Sequence, residues 1–335
     1  MDFQTSPAPH SVASNSVQRV MGLVLLALIP GTLVYVSYFG WGLLIHMSVA
    51  VLSALLSEAL CLRLRRQRLN KFLYDGSAVL TAVLLAFALP PLAPWWLTAS
   101  GAAFGIVFAK HVYGGLGYNL FNPAMVGFAA LLVSFPSYMS AWPVPDTTLS
   151  FVATLAIVFV PIEAIDAISQ ATPLMTMRNE LKLGATMSEI TAGTLFGNIA
   201  GVGWEWIAVA FAGGGIGLLA LRVIRWHVPI AMLSTMLIFA TTMHAVDPGT
   251  YAGPVFHLFS GASMLGAFFI ATDPISCATS NRGRLIFGSG VGALTYIIRT
   301  WGGYAEGVAF AVLLMNAAAP LIDRYTIPRI YGHPR

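Results

Sequence analysis

The sequence predicts an all-α integral membrane protein of about ten transmembrane helices, built as inverted five-helix repeats around one long external loop. Three observations predict it. Of 335 residues, 57% are hydrophobic and only 9% charged, where a soluble domain carries about 25% charged residues; mean hydropathy is +0.78. Apolar runs long enough to cross hydrocarbon recur along the chain. Basic residues cluster at alternate ends of those runs.

The runs fall at Val20 to Tyr38, Trp41 to Leu62, Ser77 to Leu92, Trp95 to Lys110 and Phe121 to Met139, then at Trp204 to Leu221, Val228 to Met243, Val255 to Ala271, Leu285 to Arg299 and Ala305 to Ile322. This divides the chain into an amino-terminal tail (1–19), a first five-helix repeat (20–139), a loop (140–203), a second five-helix repeat (204–322) and a carboxyl-terminal tail (323–335). Residues 1–18 have no basic start before a short apolar region, so no cleaved signal is expected and the first run is its own anchor.

With the amino terminus in the cytoplasm, fourteen of the seventeen basic residues fall inside: Arg19, the cluster Arg63, Arg65, Arg66, Arg68 and Lys71, then Lys110, Arg222, Arg225, Arg282, Arg284, Arg324, Arg329 and Arg335. Only Arg178, Lys182 and Arg299 fall outside, as the positive-inside rule requires. The apolar stretch Leu149 to Pro161 is not counted as a span. If it crossed, every later basic cluster would move outside. The loop is therefore external, which in a bacterium means periplasmic to the inner membrane.

An internal repeat supports the odd number of spans per half. Ser100-Gly101 precedes Lys110 as Ser289-Gly290 precedes Arg299, with Gly114-Gly115 and Gly302-Gly303 beyond, at offsets of 185 to 189 residues. Gly76 to Ala86 and Gly261 to Ala271 share one spacing of small residues. Five spans per copy make the second copy enter from the opposite face, and such repeats build sites from interrupted helices. Asn122-Pro123, Asp273-Pro274 and Asn316 with Pro320 are expected to interrupt or end apolar segments and to line an ion path, although proline is also common in membrane helices.

Few ionisable residues lie within the runs. Glu58 and Glu306 are candidates for the ion path because a carboxylate in hydrocarbon costs about 2.5 to 3.5 kcal/mol at the centre. Both also lie close enough to an interface to be structural, Glu58 by pairing with the Arg63 to Arg68 cluster. Asp75 and Asp273 read equally well as helix caps. Cys61 and Cys277 show no CxxC spacing and the seven histidines no HxxH spacing, so neither a metal site nor a disulfide framework is expected. The basic residues are topology determinants, and nucleic acid is not an expected partner; membrane lipid is.

The loop holds Asp166-Ala-Ile-Ser169-Gln170-Ala171-Thr172-Pro173. Proline steers Thr172 to extended backbone, which leaves its hydroxyl accessible. No histidine or lysine base adjoins it, so any modification must come from another enzyme. Taken alone, such a segment is usually only a turn.

These residues, with Asp75 to Thr81, Gly117 to Ala124 and Thr272 to Ile275, carry a resemblance along nearly the whole chain. The sequence resembles the family of D subunits of ion-translocating Rnf electron-transport complexes and, more distantly, B subunits of sodium-translocating NADH:quinone reductases. The resemblance implies FMN joined as a phosphoester to Thr172 by a flavin transferase that reads a motif falling on Asp166, Ser169, Ala171 and Thr172. Gln170 stands where that motif usually has glycine. Gly184-Ala185-Thr186 is a competing Gly-Ala-Thr without the Asp-x-x-Ser frame. The resemblance further implies membership, without independent activity, in a translocase coupling ferredoxin/NAD electron transfer to Na+ or H+ movement, with the other Rnf subunits as partners. Related B subunits also carry noncovalent riboflavin, which leaves room for a second flavin. The alternatives are a urea-transporter-like channel or secondary transporter without redox role, and a scaffold whose Thr172 stays unmodified.

Overall fold

A computed structural model describes residues 17–146, 149–160, 169–197 and 199–326. It is an all-α membrane protein in which helix occupies every apolar run of the sequence. Among the described residues, four helices are long and apolar enough to cross a bilayer: Val17–Phe39, Gly42–Leu64, His227–Val246 and Val308–Thr326, of 23, 23, 20 and 19 residues. At about 1.5 Å per residue these rods are roughly 29 to 35 Å long, against about 30 Å of hydrocarbon.

The first rod is α1 (Val17–Ala27) and α2 (Ile29–Phe39), joined at Leu28 just before Pro30. It is followed by α3 (Gly42–Leu64), α4 (Ser77–Ala88), and α5 (Trp95–Phe104), which runs on as a π-helical segment Gly105–His111. Then comes α6 (Pro123–Ser134), which Asn122 caps by accepting the Ala124 and Met125 N–H groups. The loop contributes α7 (Phe151–Phe159), α8 (Pro173–Lys182) and α9 (Met187–Thr191). Beyond it lie α10 (Trp204–Ala220), α11 (His227–Val246) and α12 (Pro254–Phe259), then α13 (Ser263–Leu265) continuing as the π-helical Gly266–Ile270. The last two are α14 (Asn281–Trp301) and α15 (Val308–Thr326).

Glycines let these helices approach closely, as small residues do in membranes. A Cβ on Gly127 of α6 would lie 2.5 Å from the Gly101 carbonyl of α5, and one on Gly288 of α14 would lie 2.6 Å from the Val228 carbonyl of α11. Buried polar groups are tied between helices: Thr98 of α5 meets His46 Nδ1 of α3 at 2.7 Å. The Asn316 side chain on α15 accepts the Asn122 N–H at 3.1 Å and donates to the Ser276 carbonyl at 2.9 Å.

The described parts of the 140–203 segment pack on the helices of both halves. Asp146 N donates to Tyr38 O and Met187 N to Gly249 O, at 2.9 and 2.8 Å. A two-stranded antiparallel ribbon, β1 (Trp142–Pro143) with β2 (Ser169–Gln170), pairs Trp142 with Gln170 and Pro143 with Ser169. Leu174, Met177, Met187 and Ile190 form a small core with Ala252 and Phe256 from the second half of the chain. The stretch expected as an irregular loop thus contains helices. The overlooked signal is Thr172 followed by Pro173, an N-cap residue and an N1 proline.

One further expectation is corrected. Pro320 neither ends nor interrupts its segment: α15 runs through it to Thr326, because neighbouring groups in a membrane bundle re-satisfy what a proline frees. Helix α7 is nine residues long, about 14 Å at helical rise, too short to cross. It lies against the bundle through Trp41–Phe151 and Trp95–Phe159 ring contacts.

Candidate functional site at Thr172

Thr172 is the N-cap of α8. Its backbone is extended (φ −64°, ψ 157°), and the Met175 N–H donates to its Oγ1 at 3.3 Å. It is half-buried, less open than a free loop hydroxyl. The first-turn N–H groups of α8 and the helix dipole favour negative charge at this hydroxyl, as at any helix N-terminus that receives a phosphate. Ser169 and Ala171 lie just before it, half-buried, Ser169 within the ribbon. Gln170 takes ribbon backbone with no positive φ, so this position makes no conformational demand for glycine. Asp166 lies outside the described residues.

Thr172 opens onto a cavity of about 500 Å³ between the two halves of the chain and α8, within the range of roughly 300 to 1,000 Å³ that holds a drug-sized ligand. Phe128, Trp142, Trp204 and Phe211 give it aromatic walls, while Arg178 and Lys182 of α8 give it positive charge. Three polar atoms of lining residues lack a hydrogen-bond partner among the described residues: Tyr35 Oη, Ser260 Oγ and Arg178 Nη1. Tyr35 and Ser260 are 2% and 1% exposed. Unpaired buried groups cost about 1 to 3 kcal/mol each, so the wall is complementary to a ligand with a flat apolar body and a polar edge. The donor set therefore fits a flavin phosphate tethered at Thr172.

Thr186 has different surroundings. It starts α9 in a capping box, donating its hydroxyl to Glu189 Oε2 at 2.8 Å, while its N–H donates to the same oxygen at 2.7 Å. These bonds, the backbone one first, hold the exposed Glu189 carboxyl below its ordinary 4.5. A phosphate on Thr186 would face that carboxylate.

Glu306 lies on the cavity wall. It pairs with Arg299 Nη2 at 2.9 and 3.0 Å and accepts the Ala262 and Val308 N–H groups at 2.9 and 3.1 Å. Arg299 Nη1 and Nη2 donate to the His257 and Ser260 carbonyls at 2.8 and 3.2 Å. The pair thus satisfies backbone groups freed where α12 stops and α13 starts. Gly261, at the break, has φ +59°, a left-handed conformation that favours glycine.

Glu58 does not meet the Arg63 to Arg68 cluster. It is 1% exposed and takes a 2.5 Å ion pair from Lys110 Nζ, with His111 Nε2 at 3.7 Å. Burial separates it from the cluster: Glu58 is enclosed among helices, whereas Arg63, Arg65, Arg66 and Arg68, at and beyond the end of α3, are exposed. Lys110 also donates to Ser77 Oγ at 2.8 Å, and Ser77 N and Oγ donate to Asp75. Lys110 and Ser77 wall a second cavity of about 550 Å³, with Thr81, Asn122, Thr272 and Asp273. Sequence reasoning misses Arg178, Tyr35, Ser260 and Lys110 as site residues; the one available signal is that Lys110 and Arg299 stand at equivalent places in the expected repeat. Among the described residues, no three His, Cys, Asp or Glu side chains come together to hold a metal, and Cys61 and Cys277 are free.

The family model described as "NQR2, RnfD, RnfE family" matches residues 4–332. The chain is 46% identical over 350 residues to the D subunit of the ion-translocating oxidoreductase complex of Aliivibrio salmonicida, covering 100% of both proteins. It is 46% identical over 349 residues to the protein of that name from Escherichia fergusonii, covering 99% of each. The Cronobacter sakazakii protein of the same name is 45% identical over 349 residues, covering 99% of this chain and 100% of its own length. With the match running across almost all of its length, the chain belongs to the NQR2, RnfD, RnfE family.

Proposed function

We propose that this chain is the membrane subunit of a redox-driven ion pump that carries FMN on Thr172, within a complex coupling ferredoxin/NAD electron transfer to Na+ or H+ translocation. The observation that carries the reading is Thr172 as the cap of α8 at the mouth of an aromatic cavity. FMN, when bound, supplies electron transfer, and the protein positions it and tunes its surroundings. The α8 N-terminus receives the phosphate; the aromatic walls exclude water from the ring. In a chain of ten spans in two inverted repeats, with the loop on the periplasmic side of the inner membrane, this site lies opposite the cytoplasmic reactions. Electrons must then cross the membrane through the complex. The second cavity is where a noncovalent riboflavin is to be sought.

The test is coexpression of the full chain with a flavin transferase and its partner subunits. Yellow fluorescence should survive denaturing electrophoresis, and the Thr172 peptide should carry the added mass. Thr172→Ala should remove both completely. An unmodified wild-type peptide would remove the main support for the reading, and modification that survives Thr172→Ala would point to Thr186.

For the ion path, Glu58 is the stronger candidate, because its Oε2 has no hydrogen-bond partner among the described residues while both Glu306 oxygens are engaged. Glu58→Gln should lower redox-coupled ion uptake by proteoliposomes at least tenfold. Unchanged uptake in either Glu58→Gln or Glu306→Gln strikes that residue from the path.

A further inference from the structure

We propose that Tyr35, Ser260 and Arg178 are positioning residues that receive the polar edge of the flavin ring in the Thr172 cavity, and that the Arg178 charge raises the flavin's reduction potential. This rests on the reading of Thr172 as the attachment site. All three line the cavity, and each has a polar atom without a partner among the described residues: Tyr35 Oη from the first rod, Ser260 Oγ from the α12–α13 break and Arg178 Nη1 from α8. They come from three separate parts of the chain, so their convergence on one space is not a local accident of one helix.

Distance along α8 separates the roles. Arg178 follows Thr172 by six residues, which is about 9 Å of helix rise. A phosphate bonded to the threonine oxygen has the first-turn N–H groups as its neighbours. A ring at the end of a five-carbon ribityl chain reaches that distance. The ring's polar edge carries carbonyl oxygens and ring nitrogens, which accept from a phenol, a hydroxyl and a guanidinium. Arg178 keeps its charge at any relevant pH, and its other terminal nitrogen is fixed on the Gly302 carbonyl. A fixed positive charge beside the ring stabilises the more electron-rich, reduced form. The nearby Glu306 does not cancel it, because that carboxylate is taken up by Arg299 and two backbone N–H groups.

The experiment is a spectroelectrochemical titration of the purified, flavinylated full chain, with Arg178→Gln, Arg178→Lys, Tyr35→Phe and Ser260→Ala beside wild type. Arg178→Gln should keep its covalent flavin but shift the oxidised-to-reduced ratio at least tenfold toward oxidised, about 30 mV lower for a two-electron couple. Arg178→Lys should recover most of the shift. Tyr35→Phe and Ser260→Ala should move the visible absorption band of the bound flavin. A purely structural Arg178 would change thermal stability without moving the potential. Should Arg178→Gln not be flavinylated, Arg178→Lys with the other two variants decides. A flavinylated wild type whose potential and spectrum are unmoved in every flavinylated variant overturns this inference alone. A wild type without covalent flavin overturns the attachment reading, and this inference with it.

Discussion

Two ion pairs among the described residues, Lys110–Glu58 and Arg299–Glu306, are built differently. Lys110 lines one cavity, and Glu306, the partner of Arg299, lines the other. Lys110–Glu58 joins two helices with both side chains 2% exposed, leaving Glu58 Oε2 without a hydrogen-bond partner among the described residues. In Arg299–Glu306 the carboxylate is 24% exposed, and both partners are held by backbone groups at a helix break. The second pair is a clasp on irregular backbone. The first has spare capacity in a closed place, which suits a group that changes its bonding during a working cycle.

The largest test of this contrast is Lys110→Met. It leaves Glu58 buried and uncompensated, and should cost about 3 to 5 kcal/mol in thermal unfolding of the full chain in detergent, whereas Lys110→Met with Glu58→Met should recover most of the loss. A cost under about 1 kcal/mol for the single variant would mean that water reaches Glu58 and the contrast is wrong. Arg299→Met should cost less, about 1 to 3 kcal/mol, because Glu306 keeps its two N–H donors and partial access to water. If the order of the two losses is reversed, the clasp is the more tightly coupled pair.

The smallest effect is expected at Glu189, an exposed carboxylate that serves as the control for both. Its folded-state pKa lies below the ordinary 4.5, so its contribution is present above that value and is lost as pH falls through the folded value. Glu189→Gln should therefore lower the melting temperature slightly at neutral pH, and the gap should close in acid below pH 4.5. A gap that widens in acid would reverse the sign of the linkage.

Helix positions are legible in the sequence because apolar runs are long and charges few; the runs beginning at Trp41, Trp95 and Trp204 start within a residue of their helices. Ion-pair partners are not, since one sequence does not say which helices adjoin: Glu58 could be assigned to the nearby arginines but not to Lys110, 52 positions away. Short helices in the loop are hidden because five to ten residues give little periodicity, although the Thr186 to Glu189 capping box is readable. Thr172 itself is legible as a residue. Its cavity is not, because Tyr35, Ser260 and Arg178 are scattered across the chain and meet only through folding.

The break between α12 and α13 has an electrical consequence for the space beside it. An interrupted helix presents partial negative charge on the carbonyls where it stops and partial positive charge on the N–H groups where it restarts. Arg299 sits on the first and Glu306 on the second. Four charges, two whole and two fractional, thus alternate in sign and form a short-range multipole whose field dies away quickly. Its effect on the Thr172 cavity is therefore confined to the wall where Ser260 and Glu306 stand, and farther in the potential is left to the cations of α8.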